Sequence, residues 1–200
     1  MNRKSLIIVF LLIVGCKENE SINQSTEIYN FFPLAKGNQW SYKDSINAVV
    51  SNPVTTVIFS SIDSIGRLWW NISNQSFATG FLGPRFTIKN DSIFSLQSWR
   101  GGQEYLGLLL VPPNDTNFVF ARACGDVIFE IQVTIGKKPY QVPAGSFNNW
   151  ASYVLKGVLE IDSVIIAPGV GILGRTYIGL EYPGKPAFQN SSVLLTYHLN

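Results

Sequence analysis

The chain has 200 residues, of which 46% are hydrophobic and 14% are charged, and its formal net charge is +2. This length suits one domain with a sizeable core, while so small a charge excludes the basic surface that nucleic-acid binding requires. One histidine and two cysteines supply neither a clustered set of zinc ligands nor a disulfide framework.

The N-terminus has the pattern of a secretory signal. Arg3 and Lys4 precede nine consecutive apolar residues, 6–14. A membrane-spanning helix needs about 20 apolar residues, so this shorter run predicts the apolar region of a cleaved signal peptide. Removal of residues 1–15 takes away two of the 15 basic residues, and the remaining 13 balance the 13 acidic ones.

The end of this segment, Ile13-Val14-Gly15-Cys16, resembles the lipobox of bacterial lipoproteins. The resemblance implies cleavage before Cys16 and a diacylglyceryl thioether, with palmitate-type chains, on its sulfur. Because several acyl chains anchor a protein stably where one holds only marginally, we expect the chain to hang from a membrane. The alternative is a plain signal peptide in which the cysteine occurs by chance. If Cys16 is acylated, Cys124 has no disulfide partner within the chain.

Residues 16–30 are polar with little periodicity, which predicts a flexible tether. The start of the tether, Lys17-Glu18-Asn19-Glu20, resembles the surface-export signal of Bacteroidetes lipoproteins. The alternative is an ordinary solvated tether, which would have the same charged composition. The predicted organisation is a signal peptide at 1–15, a lipid-anchored tether at 16–30 and one domain at 31–200. The expected location is the cell envelope, as an outer-membrane lipoprotein that the export signal would place on the surface.

From residue 31 onward the sequence alternates with the period of two that is typical of β-strands. Between residues 127 and 135 every odd position is apolar, whereas Glu130, Gln132 and Thr134 share the opposite face. Turn signals rich in Gly, Pro and Asn separate the runs, and no segment after the tether keeps a helical period over three turns. The prediction is an all-β fold, a single antiparallel meander that forms a curved sheet, half-barrel, barrel or sandwich.

An Asp-Ser pair followed by an aliphatic residue occurs four times, and its serines are Ser45, Ser64, Ser92 and Ser163. Since Asp and Ser hydrogen-bond to their own backbone, the pattern favours turns that lead into strands. The triplet also resembles the O-glycosylation acceptor of Bacteroidetes, which would make the four serines modification sites. The two interpretations are compatible.

Three segments carry a resemblance to a protein family. They read FPLAKGNQWSY at residues 32–42, VPAGSF at 142–147 and APGVGIL at 167–173. Their order and spacing resemble uncharacterised, Bacteroidetes-type envelope lipoproteins with FPLxxGNxWxY, VPAGxF and APGVG motifs. No reaction or ligand is established for that group, so the resemblance implies a fold and a location. Within the third motif, Gly169 and Gly171 are expected at positive φ or at a close backbone approach.

Two patterns suggest a cofactor or catalytic site, and their surroundings argue against both. Residues 169–174 fit G-x-G-x-x-G, but the glycines and proline that follow exclude the helix that a dinucleotide site needs. His198 is the single histidine and no G-x-S-x-G element accompanies it, so a hydrolase is a distant alternative. We therefore predict no cofactor, no metal and no enzymatic activity.

The aromatic residues give the strongest indication of a binding surface. Five tryptophans are many for a chain of this length. Trp69 shares the polar phase of its strand with Arg67, and Trp99 and Trp150 lie beside Arg or Asn. Aromatic faces flanked by amides and guanidinium groups suit sugar rings or a protein partner. The alternative is that the second face of a curved sheet is itself covered.

Together these features predict a lipid-anchored, non-enzymatic envelope lipoprotein that binds or scaffolds a glycan or an envelope protein through exposed aromatic residues. Its partners would be membrane lipid, through acylated Cys16, and that ligand, with no nucleic acid and no dinucleotide. The main alternative is a carrier of an apolar ligand in a half-barrel similar to those of lipoprotein localisation, which requires a continuous apolar cavity.

Overall fold

The computed structural model describes residues 31–73, 75–83, 85–89, 92–98, 104–114, 116–124 and 127–200. The predicted signal peptide, Cys16, the tether and Trp99 lie outside this part of the chain. None of the described residues forms a helix long and apolar enough to cross a membrane. The described residues form fifteen strands and one 3₁₀ turn, so the all-β prediction is confirmed.

The elements follow one another in short steps. They are β1 (Gln39–Ile46), β2 (Val49–Ser51), β3 (Val54–Ile62), β4 (Leu68–Ser73), the 3₁₀ turn (Gly80–Leu82), β5 (Arg85–Lys89), β6 (Ser92–Ser98), β7 (Glu104–Leu110), β8 (Phe118–Cys124), β9 (Val127–Ile135), β10 (Tyr140–Val142), β11 (Gly145–Phe147), β12 (Ala151–Lys156), β13 (Glu160–Ala167), β14 (Gly171–Gly179) and β15 (Phe188–His198).

Thirteen of these strands form one antiparallel sheet that is nearly closed into a barrel. The strand order is β7-β6-β5-β4-β3-β1-β15-β14-β13-β12-β9-β8, with β2 paired to β1, and β10 and β11 form a separate hairpin. Most neighbours in the sheet are consecutive in the sequence, which confirms the predicted meander. Among the predicted alternatives, the nearly closed sheet matches the half-barrel.

The antiparallel connections define two ends of the sheet. The β1–β2, β12–β13 and β14–β15 connections, residues 47–48, 157–159 and 180–187, lie at one end, which we call the hairpin end. The β9–β12 connection, residues 136–150, contains the β10–β11 hairpin and lies at the opposite end, which we call the insertion end.

The predicted alternation decides which face of the sheet is buried. In β9, Ile131 and Val133 are 4% and 0% exposed, while Glu130 and Gln132 face solvent. The last strand, β15, contains a change of register that its sequence does not reveal. A bulge opposite Ser41 and Tyr42 shifts the register, so that Ser192 and Leu194 point inward in the first part of β15.

The interior is packed around the start of β1. The segment before β1 contributes Phe32 and Leu34, and the 3₁₀ turn contributes Leu82; all three are at most 1% exposed. The ring of Phe32 lies 5.7 Å from that of Trp40 and 6.4 Å from that of Phe86. Because these side chains occupy the space between the strands, this region does not favour a continuous apolar cavity for a carried ligand.

The first and third sequence motifs meet at the insertion end. Trp40 Nε1 donates a hydrogen bond of 2.6 Å to the Val170 carbonyl. Gly169 and Gly171 have φ of 75° and 103°, as predicted, and a Cβ on Gly171 would lie 3.2 Å from Trp40 Nε1. The run that resembles a dinucleotide fingerprint therefore forms a β-turn and the start of β14, and a strand follows it where a helix would be needed.

Candidate functional site

Polar side chains occupy the interior face of the sheet near the hairpin end. We call them the interior polar cluster: Asp44, Glu160, Asp162, Arg175, Tyr177 and Ser192. Ser192 of β15 lies opposite both Asp44 of β1 and Arg175 of β14. Tyr177, two residues after Arg175, lies opposite Asp162 of β13. One face of four neighbouring strands therefore carries the whole cluster.

Arg175 is the centre of this cluster. Its Nε and Nη2 donate to the two carboxylate oxygens of Asp162 at 2.9 and 2.8 Å, a bidentate pair whose side chains are 13% and 19% exposed. Its Nη1 donates to the Phe77 carbonyl at 3.0 Å, and its guanidinium lies 4.6 Å from the Phe77 ring centre. Asp44 accepts from the Phe77 amide at 2.7 Å and from the Ser192 hydroxyl. The chain before the 3₁₀ turn is thereby fixed to the sheet.

Tyr177 and Glu160 complete the cluster towards the hairpin end. The Tyr177 hydroxyl donates to a Glu160 carboxylate oxygen, and this hydrogen bond, with burial and the carboxylate charge adding to it, raises the pKa of Tyr177 to about 12. The Phe188 ring lies 5.8 Å from the Tyr177 ring and is 46% exposed. A Cβ on Gly179 would overlap the Phe188 ring, so a larger residue there would have to displace that ring.

The chemistry of the cluster is that of a structural network. Each of its three carboxylates accepts a hydrogen bond from another protein group, and the guanidinium binds both oxygens of Asp162. Within the described part of the chain, no group of three or more His, Cys, Asp or Glu side chains could hold a metal ion. The sequence did not reveal this cluster as a whole. It places the carboxylates of Glu160 and Asp162 on strands, and Asp44 and Asp162 in Asp-Ser triplets, but nothing in it shows that these side chains meet.

The turn interpretation of those triplets is wrong for two of them. Ser45 and Ser163 lie within β1 and β13, and alternation along each strand places them on the outer face, opposite to the preceding aspartates. Ser64 lies in the β3–β4 turn as predicted and is exposed, and Ser92 begins β6. Glycosylation of the four serines stays a prediction.

Trp69 is not an exposed aromatic residue, and this part of the prediction is wrong. Its side chain is 3% exposed on the outer face of β4, where the guanidinium groups of Arg85 and Arg67 lie 4.5 and 5.5 Å from its ring centre. Trp69 Nε1 donates to Asp63 at 2.9 Å, and that bond, with the backbone amides and Arg67, lowers the pKa of Asp63 to about 2. Arginine side chains cover the ring that would have contacted a ligand.

Four aromatic side chains at the insertion end form what we call the aromatic cluster: Tyr140, Phe147, Trp150 and Tyr197. The rings of Tyr140 and Trp150 are 5.1 Å apart and those of Phe147 and Tyr197 are 6.3 Å apart. Tyr197 is 40% exposed, and the other three are partly buried. Tyr140 and Phe147 lie opposite each other in the β10–β11 hairpin, which joins the two ring pairs. The structure therefore places predicted Trp150 against Tyr140, with the Phe147–Tyr197 pair across the hairpin.

Trp150 is held in one position. Its Nε1 donates to the Lys138 carbonyl at 2.8 Å, and its ring lies against Gly136, where a Cβ would overlap it. Partial burial beside it raises the pKa of Tyr140. Exposed polar residues flank the cluster in the chain: Lys137, Lys138, Asn148 and Asn149. Gln141 and Ser146 bond to each other on the opposite face of the hairpin. A fixed aromatic ring bordered by amides and ammonium groups has the composition of a binding surface.

His198 lies apart from the interior polar cluster. It is exposed near the end of β15 and pairs with Gln39 in the register of β1 and β15. Ser192, the nearest serine of the interior polar cluster along the strand, donates to Asp44. The arrangement therefore does not favour the hydrolase alternative.

No known protein family and no curated protein matches this chain. Among solved structures it is similar to a Bacteroides fragilis protein described as exported, with a YmcC-like fold. The two are 13% identical, the match covers 84% of this chain and 98% of that one, and the TM-score is 0.41. A likeness at this level carries no argument, so the function has to be inferred from this chain's own residues.

Proposed function

We propose that this protein is a lipid-anchored, non-enzymatic module of the bacterial cell envelope that binds a glycan through the aromatic cluster. The anchoring rests on the sequence of residues 1–16, and the binding rests on the arrangement of the insertion end. One observation carries the proposal. The β10–β11 hairpin brings partly exposed aromatic rings together, and exposed amide side chains lie next to them.

The surroundings of the aromatic cluster favour a sugar over a flat apolar partner. Asn148 and Asn149 are exposed just before Trp150, and such amides both donate and accept hydrogen bonds, as sugar hydroxyls require. Trp150 is immobilised by its hydrogen bond to Lys138, so stacking a ring on it costs little side-chain entropy. The partial exposure of Tyr197 leaves part of its ring accessible to a ligand.

The anchoring is tested by replacing the lipidated residue. Cells fed a labelled palmitate analogue should incorporate it into the full chain, and Cys16→Ala should abolish the label and leave the signal peptide uncleaved. The matched control is Cys124→Ala, which should keep the label. Equal labelling of Cys16→Ala and the natural chain would contradict lipidation at this position.

The binding is tested with the full chain in detergent on an array of bacterial envelope polysaccharides and peptidoglycan fragments. For a glycan that binds, Tyr197→Ala should raise Kd roughly tenfold, about 1.4 kcal/mol, because truncating a central aromatic contact commonly costs more than 1 kcal/mol. Trp150→Phe should also weaken binding, because it loses the fixed indole ring.

The control variant is Tyr182→Ala at the hairpin end, since Tyr182 has a similar exposure of 37%. It should leave Kd unchanged, and thermal unfolding should show that all variants are folded. A Kd that rises equally with Tyr182→Ala and with Tyr197→Ala, or that neither variant changes, would place the binding surface elsewhere. A third outcome is that no glycan binds. If the natural chain then captures an envelope protein that the Tyr197→Ala chain does not, the ligand is a protein.

A further inference from the structure

The hairpin end carries a set of exposed apolar side chains that we call the apolar rim: Ile46, Val49, Val50, Val158, Leu159, Leu180 and Phe188. Their exposed fractions include 94% for Val158, 68% for Val49 and 46% for Phe188. Single exposed apolar residues are ordinary on a protein surface, but a group of them at one end marks a surface that contacts something apolar.

The apolar rim is continuous through neighbouring backbone. The Asn47 amide of the β1–β2 turn donates to the Asn190 side chain at 3.0 Å, which places that turn beside the start of β15. Phe188 lies opposite Gly179 in the register of β14 and β15. The Leu180 amide donates to the Leu159 carbonyl at 2.9 Å, which joins this strand end to the β12–β13 turn. Three connections therefore present their apolar tips side by side.

The polar residues beside the apolar rim fit a lipid surface. Lys156 is exposed at the end of β12, just before Val158, and Lys185 is exposed with its ammonium group 5.5 Å from the Tyr182 ring centre. Apolar tips flanked by lysines and by an aromatic ring match the order of acyl chains, interface and anionic headgroups across a leaflet. Exposed Glu181 carries an opposing charge in this region.

The length of the tether allows this surface to reach the membrane. The chain between Cys16 and Phe31 spans 15 residues, or about 50 Å when extended at ~3.3 Å per residue. The longest strand, β15, has 11 residues and is about 36 Å long at ~3.3 Å per residue. The tether can therefore run from the interior, where Phe32 packs on Trp40, past the hairpin end to the bilayer.

We propose that the apolar rim docks on the lipid bilayer, inserting the tips at Val49, Val158 and Phe188 below the headgroups. The inference rests on the anchoring part of the proposed function. An acyl anchor keeps the apolar rim at a high local concentration near the bilayer, so that even a weak insertion becomes effective. It also orients the domain, since the aromatic cluster at the insertion end then faces away from the membrane.

The test places an environment-sensitive nitrobenzoxadiazole fluorophore at the rim. The full chain with Val158→Cys and Cys124→Ser is labelled and reconstituted into vesicles of phosphatidylethanolamine and phosphatidylglycerol. We expect blue-shifted emission and severalfold weaker quenching by aqueous iodide than in detergent-free buffer. A probe at Lys138→Cys, at the insertion end, should stay fully quenchable. Adding Val49→Ser and Phe188→Ser to the Val158 probe chain should restore quenching while thermal unfolding stays unchanged.

Two results would overturn the docking. The first is a Val158 probe that is as quenchable on vesicles as in buffer. The second is a probe that becomes protected only when envelope proteins are added, which would assign the rim to a protein partner. The mass of the N-terminal peptide reports acylation of Cys16 independently, so a failed anchor is distinguishable from a failed docking surface.

Discussion

Tyr177 shows how one hydrogen bond sets the chemistry of a residue in the interior polar cluster. Its hydroxyl donates to Glu160, and removing that proton would leave a phenolate beside a carboxylate. The bond therefore raises the pKa of Tyr177 from its ordinary value of 10.0 to about 12. Because the folded-state pKa is the higher one, the stabilisation is fully present below pH 10 and is lost as the pH rises through about 12.

Replacing Glu160 should shift this titration in a graded way. Glu160→Ala removes the acceptor and the charge, so the pKa of Tyr177 should fall from about 12 towards 10. Glu160→Gln keeps an acceptor and should give an intermediate value. Tyrosinate absorbance against pH measures both, with Tyr177→Phe identifying the signal among the eight tyrosines. An alkaline titration that Glu160→Ala leaves unchanged would contradict the assignment of the raised pKa to this bond.

At the scale of elements, two short segments that stand outside the main sheet have different tasks. The 3₁₀ turn buries Leu82, and Arg175 and Asp44 hold the preceding backbone at Phe77. The β10–β11 hairpin is attached more lightly, through the Ala144 amide and the Leu194 carbonyl at 3.4 Å and through its aromatic rings. The first segment consolidates the interior, whereas the second presents side chains at the surface.

The strands themselves follow from short-range patterns. In β9 the alternation alone distinguishes buried Ile131 from exposed Glu130, because successive side chains of a strand point to opposite faces. The same rule misleads in β15, where the bulge opposite Ser41 and Tyr42 reverses the phase between Leu194 and Tyr197. A bulge depends on the pairing of two strands far apart in the sequence, so a pattern within one of them does not reveal it.

At the scale of the whole molecule, contacts between distant strands hold the sheet in its nearly closed form. The Tyr153 hydroxyl of β12 donates to the Val111 carbonyl just after edge strand β7, at 2.7 Å. Tyr153 is 3% exposed, and burial raises its pKa well above the ordinary range. This hydrogen bond crosses from one side of the nearly closed barrel to the other and fixes the end of β7.

Tyr153→Phe should therefore loosen the closure without opening a cavity. It removes the donor and leaves the Val111 carbonyl to water, so the free energy of unfolding should fall by about 1 kcal/mol. Denaturant unfolding of the full chain in detergent measures the change. Tyr182→Phe in the exposed β14–β15 connection is the control and should change stability by less than about 0.5 kcal/mol. A Tyr153→Phe chain as stable as this control would show that the bond contributes nothing to closure.

The sequence by itself determined the strand content, the faces of most strands and the bends at Gly169 and Gly171, because these depend on alternation and on backbone φ, which are local. It also predicts the anchor at Cys16, which lies outside the described residues. Only the tertiary structure decided that Arg85 covers Trp69, that Trp150 packs on Tyr140 and Phe147 on Tyr197, and that polar and apolar groups gather at the hairpin end. Each of these depends on which strands and connections become neighbours, and that pairing leaves no trace in the pattern within one strand.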